Sequence, residues 1–146
     1  MNNIMIIEKI SAFGHENILC THKTTIELTK DNYVSVKGNC ILGIKASKSC
    51  NDLNSNLKKI IRSGNVKVKV TISIGKIADS FFGFGNKDLT LLNKNDIVFR
   101  LSEYICDRTV LIKCTKSSKD LNRNLVSKLK SPNTKFYLTF EKENEA

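Results

Sequence analysis

The sequence predicts an α+β fold in which two copies of one β-β-β-α-β unit form a single pseudo-two-fold domain. Three observations predict it. Residues 44–71 align without gaps on residues 112–139, and 13 of the 28 positions are identical, where composition alone would give about two or three. The identities include Ile44/Ile112, Lys48/Lys116, Ser49/Ser117, Asp52/Asp120, Asn54/Asn122, Leu57/Leu125 and Thr71/Thr139. A fainter echo upstream, at an offset of 71, pairs Gly14 with Gly85, Lys23 with Lys94 and Ile26 with Ile97. Within each copy the apolar residues keep a period of two and switch once to a helical period.

The elements follow in order. Residues 4–13 alternate loosely as a strand, 24–29 are β-branched with an apolar/polar rhythm, and 40–47 read as a buried strand. Leu53, Leu57, Ile60 and Ile61 fall on one helical face, and Ser63-Gly64 supplies the stop. Residues 65–74 alternate strictly and turn at Gly75-Lys76 into a strand at 77–84. The second half repeats the order, with strands at 96–101 and 109–115, a helix over 118–130 that Pro132 stops, and a closing strand at 134–141. The acidic tail from Glu141 to Ala146 reads as frayed. The repeats thus span about 4–74 and 77–142 of one domain, 1–146. By analogy with duplicated units of this order, the strands would close into a cradle-loop-type β-barrel with two helices, such as a double-psi or RIFT barrel. A two-layer α+β sandwich is the alternative.

At 146 residues the chain is long enough to bury roughly 68–70% of its unfolded surface, whereas each half alone would have a thin core. No signal-peptide pattern opens it and no apolar run approaches a membrane span. A soluble, cytoplasmic protein without a membrane partner is the expectation. Five cysteines form no C-x-x-C pair, which speaks against a zinc ribbon or a secreted disulfide framework. The net charge of +10 is concentrated: segments 45–69 and 113–135 each hold seven basic residues and one acid. Basicity therefore belongs to the repeated segments.

Three places could carry chemistry. The first is the strand-to-helix corner, which occurs twice, as Ser47-Lys48-Ser49 and Thr115-Lys116-Ser117. Hydroxyls and a lysine beside the free N–H groups of a helix start suit an anion, while simple capping by Ser49 and by Ser117 or Ser118 explains the same residues. The second is the window Gly14 to Glu27, which holds both histidines, His15 and His22. Imidazole and carboxylate there could bind a metal ion or act as acid and base. Their spacing of seven would put the rings on opposite faces of a straight strand, and the second copy has Asn86 and Asn93 instead. The third is Cys106-Asp107-Arg108-Thr109, where Asp107 and Arg108 could clamp an anion or form a local ion pair.

The residues Gly14-His15-Glu16-Asn17, Thr21-His22-Lys23-Thr24-Thr25-Ile26-Glu27, the stretch 88–102 and Cys106-Asp107-Arg108-Thr109 resemble a small archaeal family catalogued only as a domain of unknown function. The resemblance covers nearly the whole chain and implies no activity, cofactor or catalytic residue. It also implies that the second copy tends toward G-H and a later H-P, where this chain has Gly85-Asn86 and Asn93-Lys94. That departure leaves His15 and His22 as the positions for histidine chemistry.

Two functional readings follow. The leading one is a basic binding module for RNA or another polyanion, contacted by Lys58, Lys59 and Arg62 of the first helix and Lys119, Arg123, Lys128 and Lys130 of the second. The alternative is a small enzyme or phosphorylated-metabolite binder centred on His15, His22 and Glu27 with Asp107 and Arg108. Neither reading names a cofactor.

Overall fold

Alternation of apolar residues sets the strands, and interruptions in it set their ends. The computed structural model describes residues 2–145, with the side chains of residues 4–142. In order they form β1 (Asn2–Phe13), β2 (Thr25–Thr29), β3 (Ile41–Gly43), a 3-10 turn (Cys50–Asp52), α1 (Ser55–Arg62), β4 (Lys67–Ile74) and β5 (Ile77–Phe84). Then follow β6 (Asp96–Arg100), β7 (Thr109–Leu111), a second 3-10 turn (Ser118–Asp120), α2 (Arg123–Leu129) and β8 (Lys135–Glu145).

Two four-stranded sheets result. One has the order β1-β8-β4-β5, antiparallel throughout. The other has the order β3-β2-β6-β7, antiparallel at its centre and parallel at both margins. Their inner faces meet in one apolar core: Phe99 of β6 packs edge-on against Phe81 of β5 at 5.3 Å and lies 5.9 Å from Phe140 of β8. Leu57, Ile61, Leu125 and Leu129 add the buried faces of the two helices to the same core.

The anticipated barrel does not close among the described residues. Single bridges, Phe13 to Ile44 and Phe84 to Ile112, link the sheets at their margins. The next residues, Lys45 and Lys113, adopt left-handed backbone (φ 50° and 51°), which turns the chain away before a ladder can grow. The long helix expected over 118–130 is likewise interrupted. Ser117 donates its N–H and hydroxyl to Asp120 Oδ2 and closes a 3-10 turn. Asn122 then restarts the helix by accepting the Leu125 N–H at 3.1 Å. Ser49 with Asp52, and Asn54 with the Leu57 N–H, make the same arrangement ahead of α1. Of the acidic tail expected to fray, Glu141 and Lys142 continue β8 opposite Ile6 and Met5 of β1. Ala146 lies outside the described residues.

Candidate functional site

The glycine-histidine pattern at 14–15 has a mechanical role. A Cβ on Gly14 would collide with the Leu129 carbonyl at the end of α2, and one on Gly85 with the Ile61 carbonyl near the end of α1. Without it, the N–H of the next residue reaches that carbonyl: His15 to Leu129 and Asn86 to Ile61, both at 2.9 Å. One orphan helix carbonyl is satisfied in each case. The side chains then hold the following turn. His15 Nδ1 accepts the Asn17 N–H at 3.0 Å, as Asn86 Oδ1 accepts that of Asp88 at 2.8 Å. His22 Nδ1 accepts from Thr24 and Thr25 at 3.1 and 3.2 Å, as Asn93 Oδ1 does from Asn95 and Asp96 at 2.9 and 2.7 Å.

An accepting Nδ1 leaves the ring proton on Nε2. The two rings are held apart, because His15 is tied to the C-terminal end of α2 while the His22 carbonyl accepts from Lys119 before its start. That is about 10 Å of helix rise. Among the described residues no group of three or more His, Cys, Asp and Glu is placed to hold a metal ion.

At the two corners the donors are engaged within the chain. Ser47 Oγ accepts the Ser11 N–H and Thr115 Oγ1 that of Phe82, both at 3.0 Å. Lys48 Nζ reaches both oxygens of buried Glu8 at 3.0 Å, and Glu8 Oε2 also accepts the Asn54 N–H at 2.8 Å. Lys116 Nζ lies 2.6 Å from Asp79 Oδ1, whose other oxygen accepts the Asn122 N–H at 2.8 Å. Burial opposes ionisation of Asp79, yet Lys116 and the N–H donors outweigh it and hold its pKa below the ordinary value. A carboxylate of the chain itself thus fills the place at each corner where an external anion would sit.

The helix cations separate into two groups. Arg123 donates to the carbonyls of Cys20, Ser118 and Leu121, and Lys119 pairs with Asp120 at 2.9 Å. Lys58, Lys59 and Arg62 instead line a cleft of about 360 Å³ with Lys87, although Lys58 also donates to the Asn51 carbonyl at 2.6 Å. Lys128 lines a larger cleft, about 560 Å³, with Lys76, Lys135, Ser131 and Thr134 around an apolar floor of Ile74 and Ile77. Lys130 is exposed beside it in sequence, at the end of α2.

The outward face of the β1-β8-β4-β5 sheet mixes lysines with aromatic rings. Register puts Lys69 beside Phe82, Lys67 beside Phe84 and Phe13 beside Lys135. Lys67 Nζ lies 4.2 Å from the Phe82 ring centre and Lys9 Nζ 4.3 Å from that of Tyr137. Phe82, Lys67, Lys69 and Lys142 line a cleft of about 270 Å³ together with Glu141 and Val66. Phe81 and Phe136 belong to the core, whereas Phe82, Phe84 and Tyr137 are half-buried.

One titratable group forms on the outward side of the other sheet. Glu27 of β2 stands 3.7 Å from Arg108 Nη1, which is also 3.5 Å from Asp96 of β6. The expected Asp107–Arg108 neighbour pair is thus replaced by these longer-range partners, and Asp107 Oδ1 takes a weak contact from Asn93 at 3.4 Å. Glu27 is only 8% exposed. Burial pushes its pKa up, Asp96 adds to the effect and Arg108 opposes it, for a value of about 7. Next to this group, Cys106 is approached by Arg100 Nη2 at 3.4 Å and Thr109 Oγ1 at 3.5 Å. Burial resists its ionisation, but the Thr109, Arg108 N–H and Arg100 contacts outweigh that and bring the thiol down to about 7. The other four thiols go the opposite way, pushed up by burial to about 11 (Cys20, Cys40) and about 12 (Cys50, Cys114).

Sequence reasoning included Glu27 and the stretch Cys106-Asp107-Arg108-Thr109 but missed Asp96 and Arg100. The available signal was a charged residue at each end of β6 (Asp96, Arg100), a five-residue strand otherwise apolar and buried.

These elements describe an α+β scaffold with cationic clefts, and comparison with known proteins places it. The model of the family described as "Domain of unknown function (DUF371)" matches residues 10–143, and the chain belongs to that family. It is similar to Uncharacterized protein MJ0206 of Methanocaldococcus jannaschii, 46% identical over 121 residues that cover 83% of this chain and 89% of that one. Among the described residues no helix is long and apolar enough to cross a membrane.

Proposed function

We propose that the protein binds a polyanion, RNA being the expected ligand, through the cationic cleft on α1. One observation carries the reading: Lys58, Lys59, Arg62 and Lys87 line that cleft and no carboxylate shares it. Like charges held together repel one another, and phosphates relieve that repulsion while releasing their own counterions.

The pseudo-two-fold arrangement is part of the proposal and sharpens it. Residues that align in the two halves do the same work: Asn54 and Asn122 cap, Lys48 and Lys116 pair with carboxylates, and Cys20 and Leu91 share left-handed backbone. The strand registers set Glu27 opposite Val98, 71 positions on, and Thr71 opposite Thr139, 68 on, as a two-fold axis through both sheets requires. Features present in both halves therefore belong to the scaffold. The α1 cleft is different, because Lys58, Lys59 and Lys87 align with Val126, Ser127 and Glu16, and only Arg62 keeps its charge, as Lys130. A charge cluster in one half only is not needed to build the fold.

The test is a fluorescence-anisotropy titration with single-stranded RNA, comparing the native chain with a Lys59→Glu/Arg62→Glu variant. Loss of most of the affinity with an unchanged melting temperature supports the reading. Equal binding by the variant removes the α1 cleft from it.

A second reading, a small enzyme or a binder of a phosphorylated metabolite, is favoured by Glu27. A buried carboxyl that titrates near neutral pH beside a guanidinium suits general acid-base work. A thermal-shift screen of phosphorylated metabolites would support it if a stabilising compound lost its effect in Arg108→Gln. No stabilising compound across the screen would count against it.

A further inference from the structure

The outward face of the β1-β8-β4-β5 sheet takes no part in the core, the caps or the α1 cleft. We infer that this face is a stacking platform for single-stranded nucleic acid, an inference that rests on the polyanion reading and names its class of ligand. A sheet with one face in water ordinarily carries polar side chains there. Here Phe82, Phe84 and Tyr137 stand half-buried on that face, with exposed Lys9, Lys67 and Lys135 between them. The lysine stems shelter the rings in the free protein, with ammonium groups 4.2 Å from Phe82 and 4.3 Å from Tyr137. An unpaired base offers a π-face to the same rings, and its phosphates offer the displaced ammonium groups a partner. This combination of rings and cations tolerates any sequence.

The geometry sets two conditions on the ligand. Bases inside a duplex are already stacked on one another and cannot reach the rings, so the face discriminates for single strands. Tyr137 and Phe82 lie four residues apart along the strands and two strands apart across them, which is roughly 16 Å. One base cannot touch both, so a mononucleotide will not substitute for an oligonucleotide. Glu141 sits between the two rings, accepting from the hydroxyls of Thr71 at 3.1 Å and Thr139 at 3.2 Å. Its charge opposes an incoming phosphate, so Glu141→Gln strengthens binding.

The experiment is an anisotropy titration of the full chain with a twelve-nucleotide single-stranded RNA, the matching single-stranded DNA and the duplex RNA, each also competed with inorganic polyphosphate. The variants are Phe82→Ala/Tyr137→Ala and Glu141→Gln, with melting temperature as the control for folding. The single strands bind more tightly than the duplex, and the double variant loses roughly 5- to 150-fold per ring for them with the duplex unaffected. A preference for RNA over DNA of the same sequence shows that the sugar hydroxyl is also read, and equal affinity assigns the face to single strands in general. Single-strand affinity unchanged in the double variant, or equal affinity for duplex and single strand, overturns the platform and leaves the polyanion reading standing. No binding to any of the probes overturns both. Should the double variant fail to fold, Phe82→Leu/Tyr137→Leu takes its place, and Glu141→Gln reads the same face independently.

Discussion

At His22 a ring nitrogen accepts the two N–H groups that a carboxamide oxygen accepts at Asn93. The exchange predicts that His22→Asn keeps the stability of the native chain, while His22→Ala loses about 1 kcal/mol, the typical cost of removing such a cap. Urea unfolding of the two variants measures both. Two histidines near two carboxylates had suggested a metal or a catalytic pair, and nothing in their spacing revealed that each closes a turn. Glu27 makes a second prediction at this scale. Its folded pKa of about 7 lies above the ordinary value of 4.5, so between these values the native state holds a proton that the unfolded chain has released. Stability from this group is therefore greatest below about pH 4.5 and declines as pH rises to 7. Glu27→Gln should remove that slope and stabilise the protein at pH 8 by about 1–3 kcal/mol, as measured by denaturant unfolding across the pH range. A variant that keeps the slope would assign it to another group. The sequence grouped Arg108 with Glu27 but not Asp96, which comes beside them only when β2 pairs with β6.

Among the elements, strands with strict alternation were readable almost to the residue. Residues 77–84 and β5 coincide, and 65–74 differs from β4 by two positions at its start. Short strands were overextended: 40–47 and 109–115 hold apolar residues on both sides of Lys45 and Lys113, yet β3 and β7 stop after three residues, ahead of these left-handed lysines. No side-chain pattern marks a lysine for that backbone. The helices were readable from Leu57, Ile61, Leu125 and Leu129, but the break ahead of each came from competition between two caps, Ser49 against Asn54 and Ser117 against Asn122. The glycines at the helix ends carry the prediction that belongs here. Gly14→Ala and Gly85→Ala force a methyl into a helix carbonyl and remove the N–H bond behind it. Each should cost more than 2 kcal/mol, well above an ordinary surface change, measured by thermal or denaturant unfolding. Tolerance of either would mean that the helix end can shift without loss.

For the molecule as a whole, the repeat led to the expectation of two similar halves, and the net charge to that of an anionic partner. Charge alone could not say which cations are free to act. Lys48, Lys116, Lys119 and Arg123 are held by the chain's own carboxylates and carbonyls, whereas Lys59, Arg62 and Lys87, with Lys58 tied only to the Asn51 carbonyl, converge on a cleft without an acid. That distinction depends on buried Glu8 and half-buried Asp79, whose partners lie 40 and 37 residues away in the chain. The central claim is that this cleft binds a polyanion. Its most direct test is the dependence of single-stranded RNA affinity on salt between about 50 and 200 mM, a range over which four phosphate contacts weaken binding roughly 50-fold. A saturable complex with at least that dependence is expected, and a shallower one after Lys59→Glu/Arg62→Glu. Absence of binding at the lower salt, or affinity indifferent to salt, would contradict it.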